Sequence, residues 1–209
     1  MKIILGSQSP RRRELLERMG LSFRVLTAEI DETQYETEDP EASVCAICRA
    51  KARAVASHMQ NAAGGQEEAE NALIITADTI VVLDGRIMGK PRDEAVARTM
   101  LTALSGREHA VYTAFTLLPA GTRNEAHTHC EKTLVKFRSL TPEEIAAYVA
   151  TGEPMDKAGA YGIQNLGAML VESIRGDYFT VMGLPVCRLA LALKQYGIDP
   201  FSQTRHEYD

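Results

Sequence analysis

An α/β fold with a mixed sheet is the architecture this sequence predicts, and three observations carry the expectation. Short apolar runs, "KIIL" at 2–5 and "LIITAD" at 73–78, have the length and composition of buried strands. Stretches of helical period alternate with them, among them "PRRRELLERM" and "LPVCRLALALKQYG". "TIVVL" and "RIM", separated by Asp84–Gly85, have the pattern of a hairpin closed by a type I′ turn.

The elements follow in order. Lys2 to Leu5 is a buried strand, after which Ser9 is an N-cap with Pro10 at the first helical position. Leu15, Leu16 and Met19 give that helix its apolar face, and Gly20 ends it. "FRVL" is a second strand. Residues 29–41 hold seven acids and no Lys or Arg, the pattern of a solvated loop. Asp39–Pro40 opens a long Ala-rich helix to about His58, and the polar residues 60–72 form an exposed loop. "LIITAD" is then a strand with Asp78 at its end. After the hairpin, "PRDEAVARTMLTAL" is a helix closed by Ser105–Gly106. Strands near 109–118 and 126–138 are joined by a Pro/Gly/Asn turn. Pro142 starts a helix that stops near Gly152. "AMLVESIRG" and "YFTVM" read as strands and "LPVCRLALALKQYG" as a final helix.

Composition narrows the function classes. The chain has 209 residues, 45% of them apolar, enough for a real core in one domain spanning 1–209. A net charge of −5 and a pI near 5.6 argue against wrapping a nucleic-acid polymer on a basic surface. No apolar run approaches the roughly 20 residues of a membrane span. The N-terminal apolar stretch is too short for a signal peptide. Four cysteines, Cys45, Cys48, Cys130 and Cys187, do not make a disulfide framework. The expectation is a cytoplasmic protein.

Against that acidic background, "GSQSPRRREL" at 6–15 stands out. A helix N-terminus presents unpaired N–H groups and the positive end of the helix dipole. Ser7 and Ser9 add hydroxyls, and Arg11, Arg12 and Arg13 add cationic forks, so the stretch suits phosphates. It is not a Walker A loop. The plainer alternative is a capped helix with solvated arginines. "IDE" at 30–32 and "TADTI" at 76–80 place acids just after strands, where α/β proteins put their sites. Glu32 and Asp78 could hold Mg²⁺, and one could deprotonate a water. Glu32 could equally be one acid among many. Lys90, in "GKP", and Lys51, on the long helix, could meet phosphate or solvent alone. The segment "EPMDKAGAYGIQNLG" at 153–167 has three glycines and no helix or strand period, which points to a functional loop. In it, Gln164 could read a base edge as donor and acceptor together. "CAIC" at 45–48 and "HTHC" at 127–130 could imitate a zinc site, but they lack zinc-finger spacing. "CAIC" reads instead as two small buried side chains. No nucleophile elbow is present. The surviving chemistry is attack of water on a phosphate chain.

"GSQSPRRREL", "IDE", "RAKA", "TADTIV", "GKPRD", "LSGREH", "EPMDKAGAYGIQ" and "VMGLP" together resemble the Maf family of nucleoside triphosphate pyrophosphatases, in order along nearly the whole chain. The resemblance implies an inosine-triphosphatase-like (Maf/Ham1) fold, an elongated mixed sheet with two lobes around a deep cleft. It implies hydrolysis of a nucleoside triphosphate to monophosphate and pyrophosphate with a divalent cation, Mg²⁺, Mn²⁺ or Co²⁺. Carried over by position, Asp78 is the proton acceptor and Glu32 supports the metal with it. Ser7, Arg12, Lys51 and Lys90 hold phosphates, beside Ser9. In the branch that resembles dTTP/UTP pyrophosphatases three positions read Arg, Thr and Gln, here Arg11, Thr79 and Gln164. The 7-methyl-GTP branch typically has Trp at the first. A house-cleaning enzyme forming a homodimer is the implied setting. The competing reading is a nucleotide-binding regulator of septum formation. Gly6 stands where the family commonly has Ala, which the sequence presents as a mild change.

Overall fold

The computed structural model describes residues 1–61, 69–121 and 126–203. Residues 62–68 of the loop expected at 60–72, and 122–125 of the turn expected after residue 118, lie outside the described residues. The fold is α/β. Among the described residues, seven strands form one mixed sheet in the order β2-β1-β3-β5-β6-β7, with β4 paired to β3. The strands are β1 Lys2–Leu5, β2 Phe23–Val25, β3 Ala72–Leu83, β4 Arg86–Met88, β5 Glu108–Pro119, β6 His127–Phe137 and β7 Val171–Arg175. β1 runs parallel to β2 (Ile4↔Arg24) and to β3 (Ile4↔Ile74). β4 is antiparallel to β3, and β7 to β6. The helices are α1 Pro10–Arg18, α2 Pro40–Asn61, α3 Glu94–Leu104, α4 Pro142–Ala150, α5 Tyr178–Met182, α6 Val186–Lys194 and α7 Pro200–Gln203. No helix among the described residues is long and apolar enough to cross a membrane.

The chain divides into two compact units. The first comprises residues 1–78, 114–130 and 183–209. Its core packs one face of α2 (Ala52, Val55, Ala56, Met59) on Ile4, Ala72, Ile74 and Leu118. The second comprises residues 79–113 and 131–182. Its core gathers Leu101 and Leu104 of α3, Ile145 and Val149 of α4, and Val135, Phe137 and Tyr161. Local chemistry sets the helix starts here. Asp93 accepts the Val96 N–H at 2.8 Å, and Thr141 and Glu144 form a reciprocal capping box. The hairpin turn at Asp84–Gly85 has φ of 51° and 77°, the two positive values that a type I′ turn requires.

Four expectations need correction. β3 does not end at Asp78 but continues for twelve residues to Leu83. It can do so because both polar side chains at its centre find partners, as described below. "YFTVM" is helical, not a strand. The Asp177 carboxylate accepts the Thr180 N–H at 2.7 Å and its hydroxyl at 2.8 Å, a helix-starting contact that outweighs the β-branched composition. Residues 168–170 belong to a 3₁₀ segment, Asn165–Leu170, so that β7 begins only at Val171. Ser9 occupies the N-cap position of α1 in extended conformation, but its side chain makes no capping bond.

One buried group in the second unit makes stability depend on pH. His109 is 3% exposed, edge-on to Phe137 and Tyr161, with Nε2 2.7 Å from the Tyr161 hydroxyl. Among the described residues its Nδ1 is buried without a partner. Burial pulls the imidazole down to about 4 from its ordinary 6.5. The folded state therefore favours neutral His109, and the contribution is full above pH 6.5 and lost as pH falls toward 4. The expected loss is roughly 3 kcal/mol across that window. Urea midpoints at pH 7 and pH 4.5 check this: His109→Gln should flatten the pH dependence, and an unchanged slope would refute the assignment.

Candidate active site

In the first unit, α2 and β3 are locked together before they reach the charged residues. The Thr76 hydroxyl donates to the Cys48 carbonyl at 2.8 Å, and the Cys48 thiol lies 3.4 Å from that hydroxyl and 3.6 Å from the Ala114 carbonyl. One step further along the same faces, three residues on the helix and two on the strand, are Lys51 and Asp78. Lys51 Nζ donates to Asp78 Oδ1 at 2.6 Å, with the two side chains only 19% and 13% exposed. Every other residue of β3 except Thr79 is buried, so Asp78 and Thr79 are a polar break in an apolar strand.

Lys51 also reaches Glu32 Oε1 at 2.8 Å. Glu32 begins a 3₁₀ turn that Asp31 shapes by accepting the Thr33 N–H at 3.2 Å, the Thr33 hydroxyl at 2.6 Å and the Gln34 amide at 3.0 Å. Those bonds, the Thr33 hydroxyl first, hold the exposed Asp31 carboxyl below its ordinary range. The acidic loop is thus not uniformly solvated, because one of its acids is drawn to Lys51. Burial works against the charge on Lys51. Asp78, and then Glu32, more than offset it, and the net effect raises the lysine above its ordinary value.

The opening of α1 lies in the same unit. Ser7 is buried, and its Oγ accepts the Arg12 guanidinium at 3.1 Å and the Ser9 N–H at 3.3 Å. Arg12 Nε donates to the Gly183 carbonyl at 2.9 Å, across 171 residues of sequence. Burial lowers the Arg12 pKa, while Asp78 and Glu32 draw it the other way. An arginine under those influences stays cationic. Arg11 is half-buried and Arg13 is exposed. Gly6 is not interchangeable with Ala here: a Cβ would lie 2.6 Å from the Thr76 methyl, and Thr76 is buried with its hydroxyl engaged.

The second unit holds Thr79, Lys90 and Gln164. Thr79 Oγ1 is 2.9 Å from Thr113 Oγ1, which donates to the Thr180 carbonyl at 2.7 Å. Thr113 has one proton and uses it there, so Thr79 is the donor between the two hydroxyls. Lys90 is exposed on the turn after β4. That turn is tied to the Gly-rich segment by the Gly159 N–H, which donates to the Gly89 carbonyl at 3.1 Å. A side chain at Gly159 (φ 67°) would meet Val81 at 2.9 Å, so only glycine lets the segment lie this close. Gln164 is half-buried between the 3₁₀ turns of that segment.

Glu32 and Asp78 are two hard oxygen donors converging on one ammonium. That donor set suits Mg²⁺-like cations, which take one or two carboxylates plus substrate phosphates. The zinc imitation dissolves. Among the described residues no three His, Cys, Asp or Glu side chains group around a metal position. His127 and His129 pack near Phe115, at 6.2 Å and 5.7 Å. Cys48 is buried as expected, but Cys45 is only half-buried. Its thiol is held down to about 7, chiefly by the hydrogen bond from Cys130, whose own pKa that bond pushes up. Sequence reasoning did not anticipate that pair, the Gly183 carbonyl behind Arg12, or Thr113 behind Thr79. None has a local signal, since each joins residues far apart in the chain.

A dTTP/UTP pyrophosphatase of Moorella thermoacetica is 50% identical over 198 residues, covering 95% of this chain and 96% of that one. A dTTP/UTP pyrophosphatase of Bacillus cereus is 45% identical over 198 residues, covering 95% and 97%. The crystal structure of a nucleoside-triphosphatase, dITP/XTP pyrophosphatase, from Mycobacterium abscessus overlays with a TM-score of 0.44 at 13% identity, covering 94% and 96%. A likeness that slight supports no reading of function. The profile of the Maf-like protein family matches residues 2–196, nearly the whole chain, and the chain belongs to the Maf family.

Proposed function

We propose that this chain hydrolyses dTTP and UTP to the nucleoside monophosphate and pyrophosphate. The observation that carries the reading is the Glu32–Lys51–Asp78 cluster, one cation between two carboxylates, in the same compact unit as the Ser7–Arg12 pair. Relatives named dTTP/UTP pyrophosphatase, 45–50% identical over almost the full length, support the substrate class. Asp78 accepts the proton of the water that attacks the α-phosphorus, and pyrophosphate leaves. Ser7, Ser9 and Arg12 hold phosphate oxygens with a hydroxyl, the first-turn N–H groups and a cationic fork. Lys51 has three donors, of which Asp78 and Glu32 engage two, leaving one for a phosphate oxygen. Lys90 adds a further point charge. A triphosphate with close to four negative charges needs such neutralisation.

Glu32 and Asp78 would hold a divalent cation, Mg²⁺, Mn²⁺ or Co²⁺, which when bound supplies charge neutralisation and a more acidic water. Arg11, Thr79 and Gln164 read the base. In this reading the enzyme works in the cytoplasm on free nucleotides, as a homodimer by expectation from the family.

Base choice is the sharpest test. The Gln164 amide can donate to O4 and accept from N3–H, a pattern uracil and thymine share. Cytosine has an amino group in place of O4 and no N3–H, so it mismatches at both. Each buried polar group left unpaired costs about 1–3 kcal/mol. UTP and dTTP should exceed CTP by at least roughly tenfold in kcat/KM, with pyrophosphate as product. Gln164→Ala should erode that ratio. A side-by-side assay of the common triphosphates and 7-methyl-GTP with Mg²⁺ or Mn²⁺ decides it. Equal rates for UTP and CTP, a preference for 7-methyl-GTP, or binding without turnover would each refute the proposal.

A further inference from the structure

The carboxylate of Glu153 lies in the second unit, within the Gly-rich segment, and three hydrogen bonds converge on it. Tyr148 Oη donates to Oε1 at 2.9 Å, the Gly167 N–H donates to the same oxygen at 3.0 Å, and the Leu166 N–H donates to Oε2 at 3.3 Å. The Tyr148 hydroxyl in turn accepts the Gly162 N–H at 3.4 Å. Burial raises the Tyr148 pKa, so the phenol stays protonated and able to donate. Backbone groups at 162, 166 and 167 therefore meet at one side chain, directly or through one hydroxyl. They bracket Gln164 on both sides.

The two ends of this stretch touch. A Cβ on Gly167 would lie 2.0 Å from the Gly162 carbonyl oxygen and 2.7 Å from Tyr148 Oη. Asn165 has φ 54°, the left-handed conformation that asparagine tolerates best among non-glycine residues, and it turns the chain between Gly162 and Gly167. The base of the loop is fixed as well, because Lys157 Nζ donates to the Glu153 carbonyl at 2.5 Å and to Asp156 Oδ1 at 2.6 Å. Gln164 thus rides on a five-peptide bight whose closure depends on an acceptor-only group with two oxygens. Only a carboxylate meets that need. A Gln at 153 would turn an NH₂ toward at least one of the three donors.

We infer that Glu153 is the positioning residue for base selection: it does not touch the nucleotide but sets where the Gln164 amide stands. The inference rests on the proposed reading of Gln164. It predicts that Glu153→Gln, which keeps the shape, weakens discrimination more than chemistry. The KM for UTP should rise by about tenfold, kcat should stay within about threefold, and the UTP-to-CTP ratio in kcat/KM should fall at least about threefold. Tyr148→Phe, which removes the relay from Gly162, should move the same quantities in the same direction by less. It carries the test where Glu153→Gln does not fold.

A merely structural role would lower the thermal midpoint and reduce UTP and CTP turnover alike. An unchanged UTP-to-CTP ratio in both variants, against a wild type that discriminates, would overturn this inference alone. A wild type that does not discriminate would overturn the reading of Gln164 and this inference with it. Hydrogen exchange adds a readout independent of activity. The amides of Gly162, Leu166 and Gly167 should exchange faster in Glu153→Gln, and unchanged protection there would also overturn the inference.

Discussion

Asp78→Asn should lower the turnover of dTTP and UTP by on the order of 10²-fold or more, the usual contribution of a general base. Asn keeps the size and shape of the side chain and still offers an oxygen to Lys51, which lies 2.6 Å from Oδ1. What it loses is the capacity to take a proton at neutral pH, together with one of the two carboxylate charges that would hold the divalent cation. The substitution also removes one of the two negative partners of Lys51, but Glu32 remains at 2.8 Å. The lysine is therefore not stranded, and the cost to stability should fall well below the 3–5 kcal/mol of a buried charge left alone. Nucleotide affinity and the thermal midpoint, measured beside turnover, separate a lost base from a lost fold. A folded Asp78→Asn protein with near-wild-type rates would sink the assignment.

Arg12→Ala should be the most damaging of the three arginine substitutions, and Arg13→Ala the least. Arg12 is half-buried and bonded to the buried Ser7 hydroxyl and the Gly183 carbonyl, so its fork is held in one place. Arg13 is exposed on the first turn of α1. Hydrogen bonds to charged groups contribute about 1.5–3 kcal/mol each, so losing one to phosphate lowers kcat/KM by roughly 10- to 100-fold for any triphosphate. Arg13→Ala should stay within about twofold. Arg12 also ties α1 to the segment at Gly183, so the measurement needs Arg12→Lys beside it. The lysine keeps charge but not the two-pronged geometry, and an intermediate rate is expected. Equal damage from Arg12→Ala and Arg13→Ala would show that the phosphates are misplaced.

Much of this protein was legible along the chain because its signals are local. Glycine after an apolar face ends α1, Asp84–Gly85 turns the hairpin, and Asp93 and Thr141 start helices by bonding the backbone three residues on. Each works over a few residues, where sequence distance and spatial distance are nearly the same. The site residue types were legible for a similar reason. An arginine cluster at a helix start and acids beside an apolar strand are recognisable without knowing what faces them.

What only tertiary structure decided is which of those residues meet. The acidic loop holds seven acids, and nothing in its own sequence singles out Glu32 from them. The choice is made by Lys51, which reaches the loop from α2. β3 runs on through Asp78 and Thr79 because Lys51 and Thr113, 27 and 34 residues distant, satisfy those side chains in mid-strand. "YFTVM" has strand composition and is a helix because Asp177, just before it, caps it. Residue type sets what a side chain can bond. Burial and the arrival of a distant partner set which bond it makes, because a polar group removed from water must find a partner within about 3 Å wherever the fold supplies one.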